Sequence, residues 1–160
     1  MIPREMPRIY FDTAEIVPRC APGRWVFDAA GRPVEKPAPQ FEARALLEGQ
    51  AIARRVHAED MGFKLDSSSR VIATGGASVN KELLQIFADV FNTPVYVQEQ
   101  HANAALFGAA MRAAQVCSSA ETSPQLAVAP LATPYPDDER IYTPVLARYR
   151  DIIHNIPKLL

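Results

Sequence analysis

Between positions 41 and 116, apolar and polar residues alternate first with a helical period, then as a short strand, and the sequence of patterns repeats. From Phe41 to Met61, Ala45, Leu46, Ile52, Ala53 and Val56 share a helical face, while Glu42, Arg44, Glu48, Arg54, Arg55 and Glu59 are spaced mostly for solvent. Gly62 supplies the stop. Val71-Ile72-Ala73 is an apolar, partly β-branched run suited to a buried strand. It passes through Gly75-Gly76 into Leu83, Leu84, Phe87, Ala88 and Phe91, which recur at spacings of three and four. That order predicts strand, tight turn and helix, with Ser78 or Asn80 placed to cap the helix. Asn92-Thr93-Pro94 breaks it, and Val95-Tyr96-Val97 makes a second strand. A third helix, Asn103 to Gln115, is rich in alanine and glycine, so its backbone can approach a neighbour closely. Helix, strand, helix, strand, helix implies an α/β fold whose parallel strands are joined by a right-handed crossover.

Proline divides the remainder. Seven prolines fall between Pro3 and Pro39, six between Pro124 and Pro157, and only Pro94 lies between these groups. Residues 1–40 carry two β-like runs, Arg8-Ile9-Tyr10-Phe11 and Arg24-Trp25-Val26-Phe27, and read as a loose hairpin and loop region. Residues 41–116 are the ordered centre. Residues 117–138 read as a linker, and residues 139–160 as a terminal helix in which Tyr142, Leu146, Tyr149 and Ile153 share a face.

Composition narrows the functional classes. At 160 residues and 48% hydrophobic the chain can bury a core. Its 17 basic and 18 acidic residues include no cationic tract longer than Arg54-Arg55, which argues against nucleic acid and anionic membranes as partners. Cys20 and Cys117 form no metal-binding pattern, and a reducing cytosol is the default reading. No apolar run approaches the roughly 18 residues of a membrane helix, nor does the N-terminus have a signal-peptide core.

The glycine turn carries the candidate chemistry. Strands of such sheets present ligands at their carboxyl ends, where Gly75-Gly76 lies, and the following helix would aim its free N–H groups and positive dipole end at whatever sits above. A nucleotide fits, and a purely topological turn fits the same two glycines. Other chemistry-bearing residues have bland readings. His57, His101 and His154 are scattered, Asp66 lies in a polar loop and Asp89 on a helix surface, and Arg44 and Glu48 are spaced for an intrahelical ion pair. Trp25, Tyr10, Phe11 and Phe27 read as core rather than as a stacking platform.

The segment RVIATGGASVNKELLQIFADVFNTPVYV resembles the C-terminal domain of the FGGY family of carbohydrate kinases. Arg44-Ala45-Leu46-Leu47-Glu48-Gly49-Gln50 resembles the helix before that family's nucleotide loop, and Asn103-Ala-Ala-Leu-Phe-Gly-Ala-Ala its closing small-residue helix. The likeness is strong over residues 41–116, and within the family it points to the animal branch that phosphorylates D-xylulose. It implies part of an actin-like, ribonuclease H-like ATPase domain, with ATP in a cleft between two domains and magnesium carried by the ATP. Gly75, Gly76 and Ala77 would line the nucleotide with backbone, and Asn80 would offer its amide to the adenosine end. Many members have a third glycine where Ala77 stands. No residue here matches the family's catalytic aspartate, and no protein ligand for metal is assigned.

Two functions follow from that resemblance. In the first, the chain is the ATP-side part of a cytosolic kinase that converts ATP and D-xylulose to ADP and D-xylulose 5-phosphate, inactive by itself because the proton acceptor lies upstream. In the second, it is a non-catalytic domain that binds nucleotide weakly or associates with another polypeptide, including its own copies through an incompletely covered sheet.

Overall fold

Strands β1 (Arg8–Phe11) and β4 (Gly23–Val26) pair antiparallel, Arg8 opposite Val26 and Phe11 opposite Gly23. Between them β2 (Glu15–Ile16) and β3 (Arg19–Cys20) form a smaller hairpin. The structure, a computed structural model, describes residues 8–11, 13–16, 19–28, 30–34, 39, 42–66, 68–98, 103–117 and 127–156. His101, the Tyr10 side chain and the first part of the expected linker lie outside them. Phe11 meets the Trp25 ring edge-on at 6.1 Å, and Phe27 is buried, so these aromatics are packing groups as read. The Trp25 ring also covers Gly23, where a Cβ would come within 2.4 Å of it.

Helix α1 (Glu42–Asp60) ends in a Schellman arrangement: Gly62 takes φ +93°, and the Phe63 N–H reaches the Ala58 carbonyl at 3.0 Å. Strand β5 (Val71–Ala73), a 3₁₀ turn at Gly76–Val79, helix α2 (Lys81–Phe91) and strand β6 (Val95–Gln98) follow. β5 and β6 are parallel, with Val71 opposite Val95, the crossover read from the pattern. Asn92 closes α2 in the left-handed conformation, which asparagine tolerates, and its N–H reaches the Ala88 and Asp89 carbonyls.

Helix α3 (Ala104–Cys117) has no buried residue; Leu106 and Val116 are 66% and 75% exposed. Then comes a difference from the sequence reading. Within the segment expected as linker, β7 (Val128–Ala132) pairs antiparallel with the far side of β6, so the sheet order is β5-β6-β7. Pro130, which has no N–H to give a ladder, occupies an exposed position of this edge strand. Helix α4 (Asp138–Asn155) buries Tyr142, Leu146, Tyr149 and Ile153, the face its periodicity predicts.

One core unites α1, α2, α4 and the first hairpin through Ile52, Val56, Ile86, Val90, Val145 and Ile9. A smaller cluster, Leu84, Ala88, Val95 and Ala132, seats α2 on the sheet. Each fully buried branched side chain contributes about 1.5–3 kcal/mol, and α2, lying in both clusters, is thereby fixed between sheet and helices. The glycine turn rests on its amino end.

Candidate functional site

The turn leaves β5 at Thr74 and exposes Gly75, Gly76 and Ala77. Gly75 takes φ +77° and ψ −165°, where a Cβ is disfavoured, so the backbone itself requires this glycine. Gly76 is different. It lies outside the positive-φ region, and a Cβ built on it meets nothing within 4 Å. Neither conformation nor packing of the described residues requires its bare backbone.

Ser78 pins the loop from within: its N–H and hydroxyl both donate to the Gly75 carbonyl, at 3.1 and 2.7 Å. Ser78 does not cap α2. Asn80 is the cap, its Oδ1 accepting the Leu83 N–H at 3.0 Å, which is worth about 1 kcal/mol. With Oδ1 so engaged, its amide nitrogen donates to none of the described residues. Among the described residues, no acceptor meets the N–H groups of Gly75, Gly76 or Ala77. Three consecutive backbone donors and one amide thus surround the exposed start of α2, an arrangement suited to an anionic or carbonyl-bearing ligand.

On another side of α2, a cleft of about 360 Å³ runs between the beginnings of α1 and α2 and the approach to α4. Arg44, Lys81, Gln85, Asp89 and Tyr135 line it. Asp89, expected on a helix surface, is 1% exposed, because it stands on the face of α2 that meets residues 133–138. Burial drives its pKa up, bonds from Gln85 and the Tyr135 N–H oppose this, and the neighbouring Asp138 adds to the rise, which reaches about 6.

Two polar networks fix the helices behind the site. Glu48 accepts from Arg44 Nε at 2.8 Å, the intrahelical pair predicted, but it is buried, not solvated, and also accepts the Tyr142 hydroxyl at 2.9 Å. Glu59 accepts from Arg55 Nε at 2.8 Å and Arg150 Nη2 at 2.6 Å, while Arg55 Nη1 caps the Val90 carbonyl at 2.6 Å. Asp66 is exposed and gathers Ser68 and Ser69, the polar loop expected of it. Among the described residues, no group of three His, Cys, Asp or Glu could hold a metal ion, and no helix is long and apolar enough to cross a membrane.

Sequence reasoning brought Gly75, Gly76, Ala77 and Asn80 to one turn, and the structure gathers them there. It missed the buried carboxylates. The signal for Asp89 was present: it interrupts the apolar run Ile86-Phe87-Ala88-Asp89-Val90-Phe91 on the face that α2 must bury.

The parallel β-helix-β unit, with an exposed glycine turn at the strand's carboxyl end and a capped helix behind it, agrees with the part of an actin-like fold that the family resemblance implies. The chain belongs to the FGGY family of carbohydrate kinases: the model of that family's C-terminal domain matches residues 23–117. Similar sequences include xylulose kinase of Mus musculus, 39% identical over 88% of this chain, and that of Rattus norvegicus, 37% identical over 92%. The chain spans about a quarter of the length of these curated relatives, 26% and 28%. Among solved structures, a "xyloylose kinase" from Brucella ovis superposes with a TM-score of 0.68 at 22% identity, covering all of this chain and 33% of its own. A xylulose kinase from Rhodospirillum rubrum gives 0.63 at 23% identity, covering 97% of this chain and 30% of its own. These two likenesses concern the fold.

Proposed function

We propose that this chain is the ATP-binding part of a kinase that phosphorylates D-xylulose to D-xylulose 5-phosphate. The observation that carries the reading is Gly76, a glycine that neither the conformation nor the packing of the described chain requires, set among backbone donors without acceptors. A ligand lying against the turn accounts for it. The N–H groups of Gly75, Gly76 and Ala77 then face the phosphate-bearing part of ATP, and the Asn80 amide faces the adenosine end. Magnesium arrives with the nucleotide and offsets the phosphate charge. D-xylulose as the acceptor rests on the rodent relatives' being xylulose kinases.

Sugar phosphorylation also needs a carboxylate to take the hydroxyl proton. Asp66 is exposed and held by serines, and Asp89 is sealed against α4, so neither suits that role. We assign the proton acceptor and the sugar pocket to the part of the relatives that this chain does not span. The 160 residues by themselves then bind ATP without turnover. A cytosolic setting suits Cys20 and Cys117, neither of which forms a disulfide.

A second reading, association with another polypeptide or a second copy, is favoured by α3, none of whose residues is fully buried, and by β5, whose outer edge is unpaired in the described sheet. Calorimetric titration of the 160-residue chain with ATP and magnesium, beside Asn80→Ala and a D-xylulose phosphorylation assay, separates the two. Saturable binding lost in the variant, without turnover, supports the ATP-binding part. Absence of binding leaves the association reading, and turnover by the chain alone overturns the assignment of the proton acceptor elsewhere.

A further inference from the structure

Strands β5 and β6 run parallel, with Val71 opposite Val95, Ile72 opposite Tyr96 and Ala73 opposite Val97. Val71, Ala73, Val95 and Val97 pack in the cluster around Leu84 and Ala88, so they face α2. By the alternation of a strand, Ile72 and Tyr96 point to the other face of the sheet. Thr74 follows β5 and Gln98 closes β6, so the next pair along the same face brings these two side by side at the strands' carboxyl ends. That face is open at Ile72, which is 40% exposed. Neither polar side chain has a partner among the described residues. Thr74 is exposed and its hydroxyl bonds none of them, while Gln98 Nε2 is buried and meets no acceptor. A buried amide donor left unpaired lowers stability, whereas an apolar side chain packed in its place does not. Thr74 is also the residue from which the chain enters Gly75, so both groups adjoin the glycine turn.

We propose that Thr74 and Gln98 form a subsite for the terminal phosphate of the nucleotide, across the turn from Asn80. The inference rests on the reading of the glycine turn as the ATP-binding turn. Asn80 begins α2, which covers the Val71 and Ala73 face of the sheet, and Thr74 and Gln98 stand on the other face. A nucleotide with its adenosine end at Asn80 and its phosphates along Gly75, Gly76 and Ala77 therefore runs over the carboxyl edge of the sheet toward Thr74 and Gln98. The other polar side chains of the turn are already engaged: the Ser78 hydroxyl donates to the Gly75 carbonyl, and Asn80 Oδ1 accepts from the Leu83 N–H. The terminal phosphate spreads its charge over three oxygens, and a hydroxyl and an amide that lack partners in the fold gain charge-assisted bonds there. ADP lacks this group, so the subsite distinguishes the nucleotide substrate from its product.

The test measures ATP and ADP affinities, each with magnesium, by calorimetry on the 160-residue chain and on Gln98→Leu, Thr74→Val and Asn80→Ala, beside a urea midpoint for each protein. Leucine replaces the unpaired amide by an apolar group, and valine replaces the hydroxyl by a methyl with the β-branching kept. The wild-type chain should bind ATP more tightly than ADP. Each of the two subsite variants should reduce that preference by roughly threefold or more, with ADP affinity staying within about twofold of wild type. The Gln98→Leu midpoint should equal or exceed that of wild type, since no bond within the fold is lost. Asn80→Ala should instead weaken both nucleotides alike, because both carry adenosine. Equal wild-type affinities for ATP and ADP, or a preference unchanged in Gln98→Leu and Thr74→Val, overturn the subsite and leave the ATP-binding reading intact as long as Asn80→Ala weakens both. A lowered Gln98→Leu midpoint overturns it too, because the amide is then satisfied within the fold. Should Gln98→Leu not fold, Thr74→Val, at an exposed position, decides by the same ratio. Binding of neither nucleotide by the wild-type chain overturns both the subsite and the reading on which it rests.

Discussion

The Tyr142 hydroxyl donates to Glu48 Oε1 at 2.9 Å, joining α4 to α1 within the core, and Arg44 Nε reaches the same oxygen at 2.8 Å. Tyr142 is 0% and Glu48 3% exposed. Burial first, and then the charge of Glu48, push the Tyr142 pKa well above the ordinary phenol value, so the hydroxyl remains a donor at any working pH. Removing it strands part of a buried carboxylate. Tyr142→Phe should cost about 1–3 kcal/mol in chemical denaturation, and Glu48→Gln, which keeps an acceptor, should cost less than Glu48→Ala. A double-mutant cycle between Tyr142→Phe and Glu48→Ala should return a coupling of about 0.5–3 kcal/mol. A coupling near zero would mean that the contact does not help to dock α4.

Gly76→Ala separates folding from ligand binding. Its Cβ has open space and its φ is not in the left-handed region, so stability should change by less than about 1 kcal/mol. The same methyl would occupy the space over the turn where the nucleotide is proposed to lie. In the longer kinase, the apparent KM for ATP should rise while that for D-xylulose stays near wild type. Gly75→Ala should behave differently, losing about 1 kcal/mol or more of stability because φ is +77° there. Unchanged ATP kinetics in Gly76→Ala would remove the main support for a nucleotide at this turn.

The centre of the fold was legible because its periods are clean: Val71-Ile72-Ala73 and Val95-Tyr96-Val97 each form a strand, and Leu83, Leu84, Phe87, Ala88 and Phe91 mark a helix. β7 was not legible, since Val128-Ala-Pro-Leu-Ala buries only Ala132 and contains a proline that a central strand would exclude. The burial of Glu48 was hidden for another reason. Helix α1 packs against the hairpin and α2 and also meets α4, so a residue on its apparently polar stripe can still be enclosed. Asp138 shares this difficulty, because the element it faces is distant in sequence. The site residues were readable as a turn, but the division of labour among them was not. That Ser78 closes the loop while Asn80 caps α2 depends on side-chain directions that spacing leaves open.

Ser78 and Asn80 can be tested apart from each other. Asn80→Asp keeps an oxygen for the Leu83 N–H at a helix start, where negative charge is favourable, so stability should be retained or slightly raised. It removes the amide donor and sets a carboxylate near the nucleotide, so ATP binding should fall at least as far as in Asn80→Ala. Asn80→Ala loses the cap as well, about 1 kcal/mol of stability. Ser78→Ala should loosen the turn through the lost bond to the Gly75 carbonyl, with Ser78→Thr restoring it. Stability by denaturation and ATP affinity by calorimetry check all four. Parallel losses of stability and affinity in every variant would mean that Asn80 acts only as a cap.

Glu59 should make stability depend on pH in acid. Burial raises its pKa, but hydrogen bonds from Arg150 at 2.6 Å and Arg55 at 2.8 Å outweigh burial and hold it below the ordinary carboxyl value of 4.5. The native form therefore binds a proton less tightly than the unfolded chain, and the stabilisation is present above that value and lost as pH falls through the lower native one. Side-chain exposures of 25% for Glu59, 15% for Arg55 and 37% for Arg150 moderate the gain, so Glu59→Gln should cost about 1 kcal/mol at neutral pH. The gap between wild type and Glu59→Gln should close as the solution is made strongly acidic. In unfolding curves taken across pH, Glu59→Gln should thus flatten the acid limb. A Glu59→Gln penalty that stays constant into acid would show that the two arginines act through geometry rather than charge.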